Sequence, residues 1–451
     1  MTKLGALIIG AILLAAAMPA AAQAPDEVEK FRSDLLAGRL GWADVVARAR
    51  KEGRVNFYHW GGSDDLNVWI DSVARPEAGR EGVALQPRRI AGTKEAVDLV
   101  IAEARAGRGL GKGSVDVVWL NGENFFTLKQ QGLLFGPFAK LLPNAKNFEW
   151  DESDPRAQLN LRDFGVDTEL TEMPWSGQQY VCAVNRALMR KEDTPSTYPE
   201  LKSYLEKNPG KFTYVKPPHF VGNTFVQAAL YAFNPDGSGG QPFQKSRDAL
   251  GAAEIARLIK PGMEFLKGLE PLLLGGGPGK LAQHPASAQA AQALFRNREI
   301  HMTCSFGLYA VATLRANGSF PDTAEEIIFP KGNMIKNKNY LAIPSNAPNP
   351  AGALVFVNYM SSVDSQISKL SLLGNPPGID IWRLSPADAK RLQDVEPPHF
   401  GVTAAALDAS IAPDTNASLV DVIKGVWLEY IERGSTRPLE EIVAAVMAGL
   451  K

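Results

Sequence analysis

The sequence predicts an α/β protein of two lobes, each a mostly parallel sheet flanked by helices. Strand-like apolar runs alternate with amphipathic segments at βα spacing, which points to parallel sheets. At 451 residues the chain exceeds one ordinary core. The same junction also occurs twice: an apolar run ends in Trp, then a glycine and polar residues, at Trp60 and again at Trp119.

The elements follow in order. Lys3, the apolar run Leu4–Ala17 and the small residues after Met18 have the layout of a secretory leader, with cleavage expected after Ala22. The apolar run is short for a membrane span, and no cysteine near the cut offers a lipid anchor. A chain free in an exported compartment, most simply a bacterial periplasm, is expected. Glu27–Glu52 reads as helix, with Trp42, Val45, Val46 and Ala49 as its apolar stripe. Arg54–Trp60 reads as a strand. Gly61 and Gly62 bend the chain, and Ser63 or Asp64 is placed to cap a helix carrying Leu66, Trp69, Ile70 and Val73 inward. Gly82–Leu85 is a second strand, Thr93–Ala104 a helix that Thr93 can cap, and Ser114–Asn124 holds a third strand.

Trp60 and Trp119 then fall at one edge of a parallel sheet. There, strand ends meet helix N-termini with unpaired N–H groups, and ligands dock at such edges. A polar, irregular stretch spans Asn144–Thr171. Met173–Asn185 leads to a helix near Arg186. Lys211–Val215 reads as a strand, followed by a helix that Asn223 or Thr224 can cap. A strand returns near Ile300, Asn339–Pro344 is another, and helices at Pro350–Met360 and Asp421–Arg433 close the chain.

Charge excludes several functions. With 48 basic and 49 acidic side chains and no Lys/Arg block, neither nucleic acid nor an anionic membrane is an expected partner. The glycine-rich runs Pro235–Gln241 and Gly275–Gly279 do not fit a phosphate loop, so no cofactor is expected. The two cysteines, Cys182 and Cys304, cannot close a zinc site alone, and the five His are scattered. In an oxidising compartment the cysteines either pair or stay as buried thiols.

Three stretches resemble the periplasmic substrate-binding proteins of ABC importers, the two-lobed flytrap type. They are Asp116-Val-Val-Trp-Leu-Asn followed by Gly132-Leu-Leu, Pro174 with Tyr180–Asn185, and Ala342-Ile-Pro-Ser-Asn-Ala-Pro followed by Ala351–Tyr359. More narrowly, Trp60-Gly-Gly-Ser-Asp and Trp119-Leu-Asn-Gly-Glu-Asn-Phe are similar to the YnjB-type subfamily.

The resemblance implies two lobes of a type II-like flytrap, joined by strands that cross near Ser176–Val181 and return near Thr303–Phe306. It implies a first lobe in 23–180 and 305–345, a second in 181–304, and a helical segment 346–451 packing on both. It brings Cys182 and Cys304 close, which favours a bridge or a shared buried site. One cleft wall would hold Trp60, Gly61, Gly62, Ser63, Asp64, Trp119, Asn121, Glu123 and Asn124. The hinge and the other wall would hold Trp175, Gln178, Tyr180, Phe220, Asn223 and Thr224. The function implied is capture of a small polar organic solute and its delivery to a membrane permease, by a protein expected to be a monomer.

The aromatic faces with Glu123 and Asp64 suit an organic cation. Against this, Asp64 can simply cap its own helix, Glu123 can be an ordinary surface carboxylate, and some tryptophans, Trp69 above all, belong to the core. Ten Tyr without an adjacent pair argue against an iron binder. The rival is an exported enzyme of thiaminase type, with Cys182 as nucleophile and Glu123 as base.

Overall fold

The computed structural model describes residues 25–237 and 239–450, so the expected leader lies outside the described residues. Among the described residues ten strands appear in chain order: β1 (Arg54–Trp60), β2 (Ala84–Ile90), β3 (Val117–Leu120), β4 (Arg162–Asp163), β5 (Val166–Asp167), β6 (Glu172–Asn185), β7 (Met302–Phe306), β8 (Ala324–Ile327), β9 (Met334–Ala342) and β10 (Ile411–Ala412). The main sheet runs β2-β1-β3-β9-β6-β7, with β8 also on β6 and β10 also on β9.

In the first lobe β1 lies between β2 and β3, parallel to both, as the βα spacing predicts. Alternation along these strands feeds two layers. Val55, Phe57, Leu85 and Leu341 face the helices Trp42–Glu52, Asp64–Trp69 and Pro350–Met360. Val118, Leu120 and Ala342 face Thr93–Arg105 and Glu123–Gln130. The second lobe packs around Tyr198, Phe225 and Trp427, with the long helix Arg247–Leu269 and the helices Ala417–Trp427 and Leu439–Gly449 on its core.

The expectation of mostly parallel sheets needs correction. β9 runs antiparallel to both β3 and β6, and β7 and β8 run antiparallel to β6, so the sheet is mixed. The cause is the crossing itself. The first half of β6 pairs with β9 in the first lobe, and the second half, Tyr180–Asn185, pairs with β7 and β8 in the other. Cys182 and Cys304 face each other across β6 and β7 and form a disulfide.

Several local expectations also shift. Glu27–Glu52 is two helices, Pro25–Leu36 and Trp42–Glu52, because Gly38 adopts a φ of 68° between them. Gly92 rather than Thr93 takes the cap position of its helix. Asn185 is followed by a turn closed by its own side chain on the Ala187 N–H, with no helix at Arg186. Residues 211–215 run extended but join no ladder; the Lys211 and Phe212 carbonyls accept singly from the His301 and Leu274 N–H groups. The helix expected at Asp421–Arg433 begins earlier, at Ala417, and passes into a π-helical turn, Leu428–Glu432, and a further helix, Leu439–Gly449, follows it.

Candidate ligand cleft between the lobes

A cavity of about 430 Å³ lies where the two lobes face each other, within the usual range for small-molecule sites. From the first lobe it takes Trp60, Thr93, Trp119, Asn121, Glu123 and Asn124. From the second come His219, Phe220, Asn223, Gln227 and Gln289. The crossing strands add Gln178, Ser305, Phe306, Asn337 and Asn339.

Local backbone chemistry sets the first wall. The Trp60 indole folds back over Gly62, where a Cβ would lie 2.4 Å from the ring, so only glycine permits this pose. Trp60 meets Trp119 edge-on at 6.5 Å between centroids, and Trp119 meets Trp175 edge-on at 4.9 Å. Asn121 donates to the Asn339 Oδ1 at 2.9 Å, tying β3 to β9 at the cleft floor. Gly122, at φ 55°, opens the helix Glu123–Gln130, and its N–H donates to Asp163 at 2.5 Å. Glu123 pairs with Lys424 of the helix Ala417–Trp427, and Lys424 also reaches Asp421 at 3.0 Å.

On the other wall Phe220 stacks on Phe306 at 4.8 Å, and Phe306 rests edge-on against Tyr180 at 5.3 Å. The His219 Nδ1 accepts from the Val221 N–H at 3.2 Å and so caps the helix Phe220–Ala232. Burial lowers the His219 pKa, which keeps the ring neutral at pH 7. At the mouth Gln289 donates to the Gly62 carbonyl oxygen at 3.4 Å, a bond from one lobe to the other.

Eight of the fifteen candidate residues line the cavity: Trp60, Trp119, Asn121, Glu123, Asn124, Gln178, Phe220 and Asn223. The other seven stand outside its lining. Gly61 and Gly62 shape the turn; the Gly61 N–H bonds to the Ile90 carbonyl and its own carbonyl accepts from Asn67. Ser63 is the helix cap, accepting from the Leu66 N–H at 3.3 Å, and Asp64 is merely the first residue of that helix. Trp175 is fully buried and packs against the Lys369 ammonium, while Tyr180 is buried behind Phe306. Thr224 donates to the Phe220 carbonyl within its own helix.

Two earlier expectations lose support. A cationic solute rested on aromatic faces together with Glu123 and Asp64; Trp60 and Trp119 are at the cleft, but Lys424 already compensates Glu123, and Asp64 is outside the lining. A thiol nucleophile rested on Cys182, which is 1 % exposed and bonded to Cys304. Among the described residues no group of three or more His, Cys, Asp or Glu is placed to hold a metal.

Residues the sequence did not single out include Phe164, His219, Gln227, Phe306, Asn337 and Asn339. Asn337 and Asn339 alternate along β9, so a strand read from Met334 rather than Asn339 would have put both on one face.

A two-lobed α/β frame with one cleft between the lobes is the architecture of a binding protein. The chain belongs to the bacterial extracellular solute-binding protein family, whose model matches residues 77–391; proteins of this class are the solute-binding components of ABC transporters and act with their permeases. It is 30% identical to Protein YnjB of Escherichia coli (strain K12) over 390 residues, 86% of this chain and 93% of that one. In fold it resembles a chitin oligosaccharide binding protein, with a TM-score of 0.64 at 16% identity, covering 88% of this chain and 97% of the other. It also resembles maltose-bound MalE3 of T. maritima, with a TM-score of 0.63 at 15% identity, covering 88% and 98%.

Proposed function

We propose that this protein captures a small polar organic solute in the interlobe cleft, in the periplasm, and hands it as a monomer to its permease without altering it. The observation that carries the reading is that one cavity draws its lining from both lobes and from the strands that join them. Closing the lobes on a solute buries it on two sides, and opening them releases it. Trp60, Trp119, Asn121, Glu123, Asn124, Gln178, Phe220 and Asn223 are the proposed contacts. Gly62, Tyr180 and Thr224 position them.

The lobe division follows the same logic. On this reading the first lobe runs from residue 25 to Gln179, and the second takes over at Tyr180, where β6 begins to pair with β7. The return to the first lobe completes only at β9, because β8 pairs with the second-lobe half of β6. Of the C-terminal segment, the helices Pro350–Met360 and Val363–Leu373 accompany the first lobe, and Ala417–Trp427 and Leu439–Gly449 the second.

The test is a thermal-shift screen of the mature protein against amines, amino acids, sugars, oxyanions and metals, each hit being followed for chemical change. A solute at a hundred times its dissociation constant adds about 2.7 kcal/mol to stability. A hit recovered intact, and lost in Trp60→Ala, supports a receptor. Turnover of the hit would overturn the reading.

A further inference from the structure

We propose that the cleft is built for an uncharged, hydroxyl-rich solute of sugar size; this rests on reading the cleft as the solute site. The lining contains two ionisable side chains, Glu123 and His219. Glu123 is compensated by Lys424, and His219 is held neutral by burial while its Nδ1 is engaged by the Val221 N–H.

Four helices begin at the cleft, and their partly positive ends would by themselves favour an anion. Each is already answered. The Glu95 carboxylate takes the Ala91 and Gly92 N–H groups at 3.0 and 3.2 Å. Asp163 takes the Gly122 N–H, with Glu123 in the first turn of that helix, His219 caps the third, and the Ser287 Oγ accepts the Ala290 N–H of the fourth, Ala288–Arg296, at 3.1 Å. A charged solute of either sign would therefore give up its hydration without meeting a free opposite charge, which is unfavourable.

What the cleft leaves open is hydrogen bonding. The side-chain oxygens of Gln178, Asn223 and Gln227 have no partner among the described residues, and Asn223 and Gln227 are only 4 % and 2 % exposed. The Asn223 amide has its orientation fixed from behind, because its Nδ2 donates to the Pro218 carbonyl at 3.1 Å and so its oxygen must face the cleft, while the Gln178 Nε2 donates to the Asn375 Oδ1 at 2.7 Å. A solute that donates to these acceptors relieves buried polar groups that otherwise stay unpaired. A hydroxyl is an uncharged group that both donates here and accepts from neighbouring amide N–H groups, in a single atom. The Trp60 face and the Phe220–Phe306 stack supply flat apolar surfaces for the C–H faces of a ring.

The test is a tryptophan-fluorescence titration of the mature protein with matched probes at pH 7. Neutral probes are maltose, cellobiose and myo-inositol; charged ones are glucosamine, spermidine, thiamine, glucuronate and citrate. The expected result is saturable quenching by a neutral probe, with a dissociation constant that changes less than about two-fold between about 20 mM and 0.5 M salt. Asn223→Leu and Gln227→Leu should each weaken that binding by about ten-fold or more. Gln178→Met, on the strand, repeats the test if the helix variants fail to fold. A charged probe that binds in preference to its neutral counterpart, or silence across the neutral panel, would overturn the proposal. If charged probes bind and Trp60→Ala abolishes it, the solute-binding reading survives the loss. If binding of every probe ignores both Trp60→Ala and the amide variants, neither reading stands.

Discussion

At the scale of single residues, small side chains decide where large ones go. Gly62 is the clearest case: a methyl group there would sit within 2.4 Å of the Trp60 indole. Gly62→Ala should drive that ring from the cleft and weaken solute binding by about ten-fold, while folding stability changes by less than about 1 kcal/mol, since Trp60 is only half-buried. Paired affinity and urea-denaturation measurements check this. Gly222 acts by the same means but on backbone: its Cβ would lie 2.1 Å from the Val215 carbonyl oxygen. Gly222→Ala should cost several kcal/mol, roughly 3, because neither backbone can yield. A chemical-denaturation midpoint that barely moved would refute the contact. Trp175 and Tyr180 show what pattern reading misses at this scale. Both stand on β6, which is buried on both faces, so no alternation marks which side chains meet solvent.

Among the elements, β6 and its partners carry the argument. The disulfide joins β6 to β7 at register partners 122 residues apart, inside the second lobe. Replacing both cysteines with serine should lower stability by about 3–5 kcal/mol, since the closed loop is long. The check is denaturation of wild type with and without reductant beside the variant; an equal midpoint for all three would contradict it. The strand ends at Trp60 and Trp119 were legible because each ends in a Trp, a glycine and a polar turn, and these place one wall of the cleft. The opposite wall was half legible. The helix with Phe220 and Asn223 was expected, but its start was not, because His219 caps it through a ring nitrogen and His is an uncommon cap. Pairing partners far apart in sequence, Glu123 with Lys424 above all, left no local trace.

For the whole molecule, buried carboxyl groups make stability depend on pH. Glu52 joins the helices Trp42–Glu52 and Pro350–Met360 by accepting the Gly352 N–H at 2.7 Å, and burial raises its pKa to about 7. Asp116 is raised to about 6 for the same reason, and burial raises Asp163, Glu172 and Asp414 as well. A carboxyl that holds its proton more tightly in the folded state makes stability fall as pH rises from its unfolded pKa to its folded one. The melting temperature should therefore drop between about pH 4.5 and 7, with Glu52 alone contributing on the order of 3 kcal/mol. Glu52→Gln should flatten that decline; a decline as steep as in wild type would remove Glu52 as its source. One consequence follows from β9 lying between β3 and β6. The first three strands and the helix Trp42–Glu52 cannot complete their layer until Leu341 and the helix Pro350–Met360 exist, some three hundred residues later. On the proposed periplasmic route, the first lobe would therefore cross the membrane without its closing layer and take its native shape only after residues 341–360 have followed.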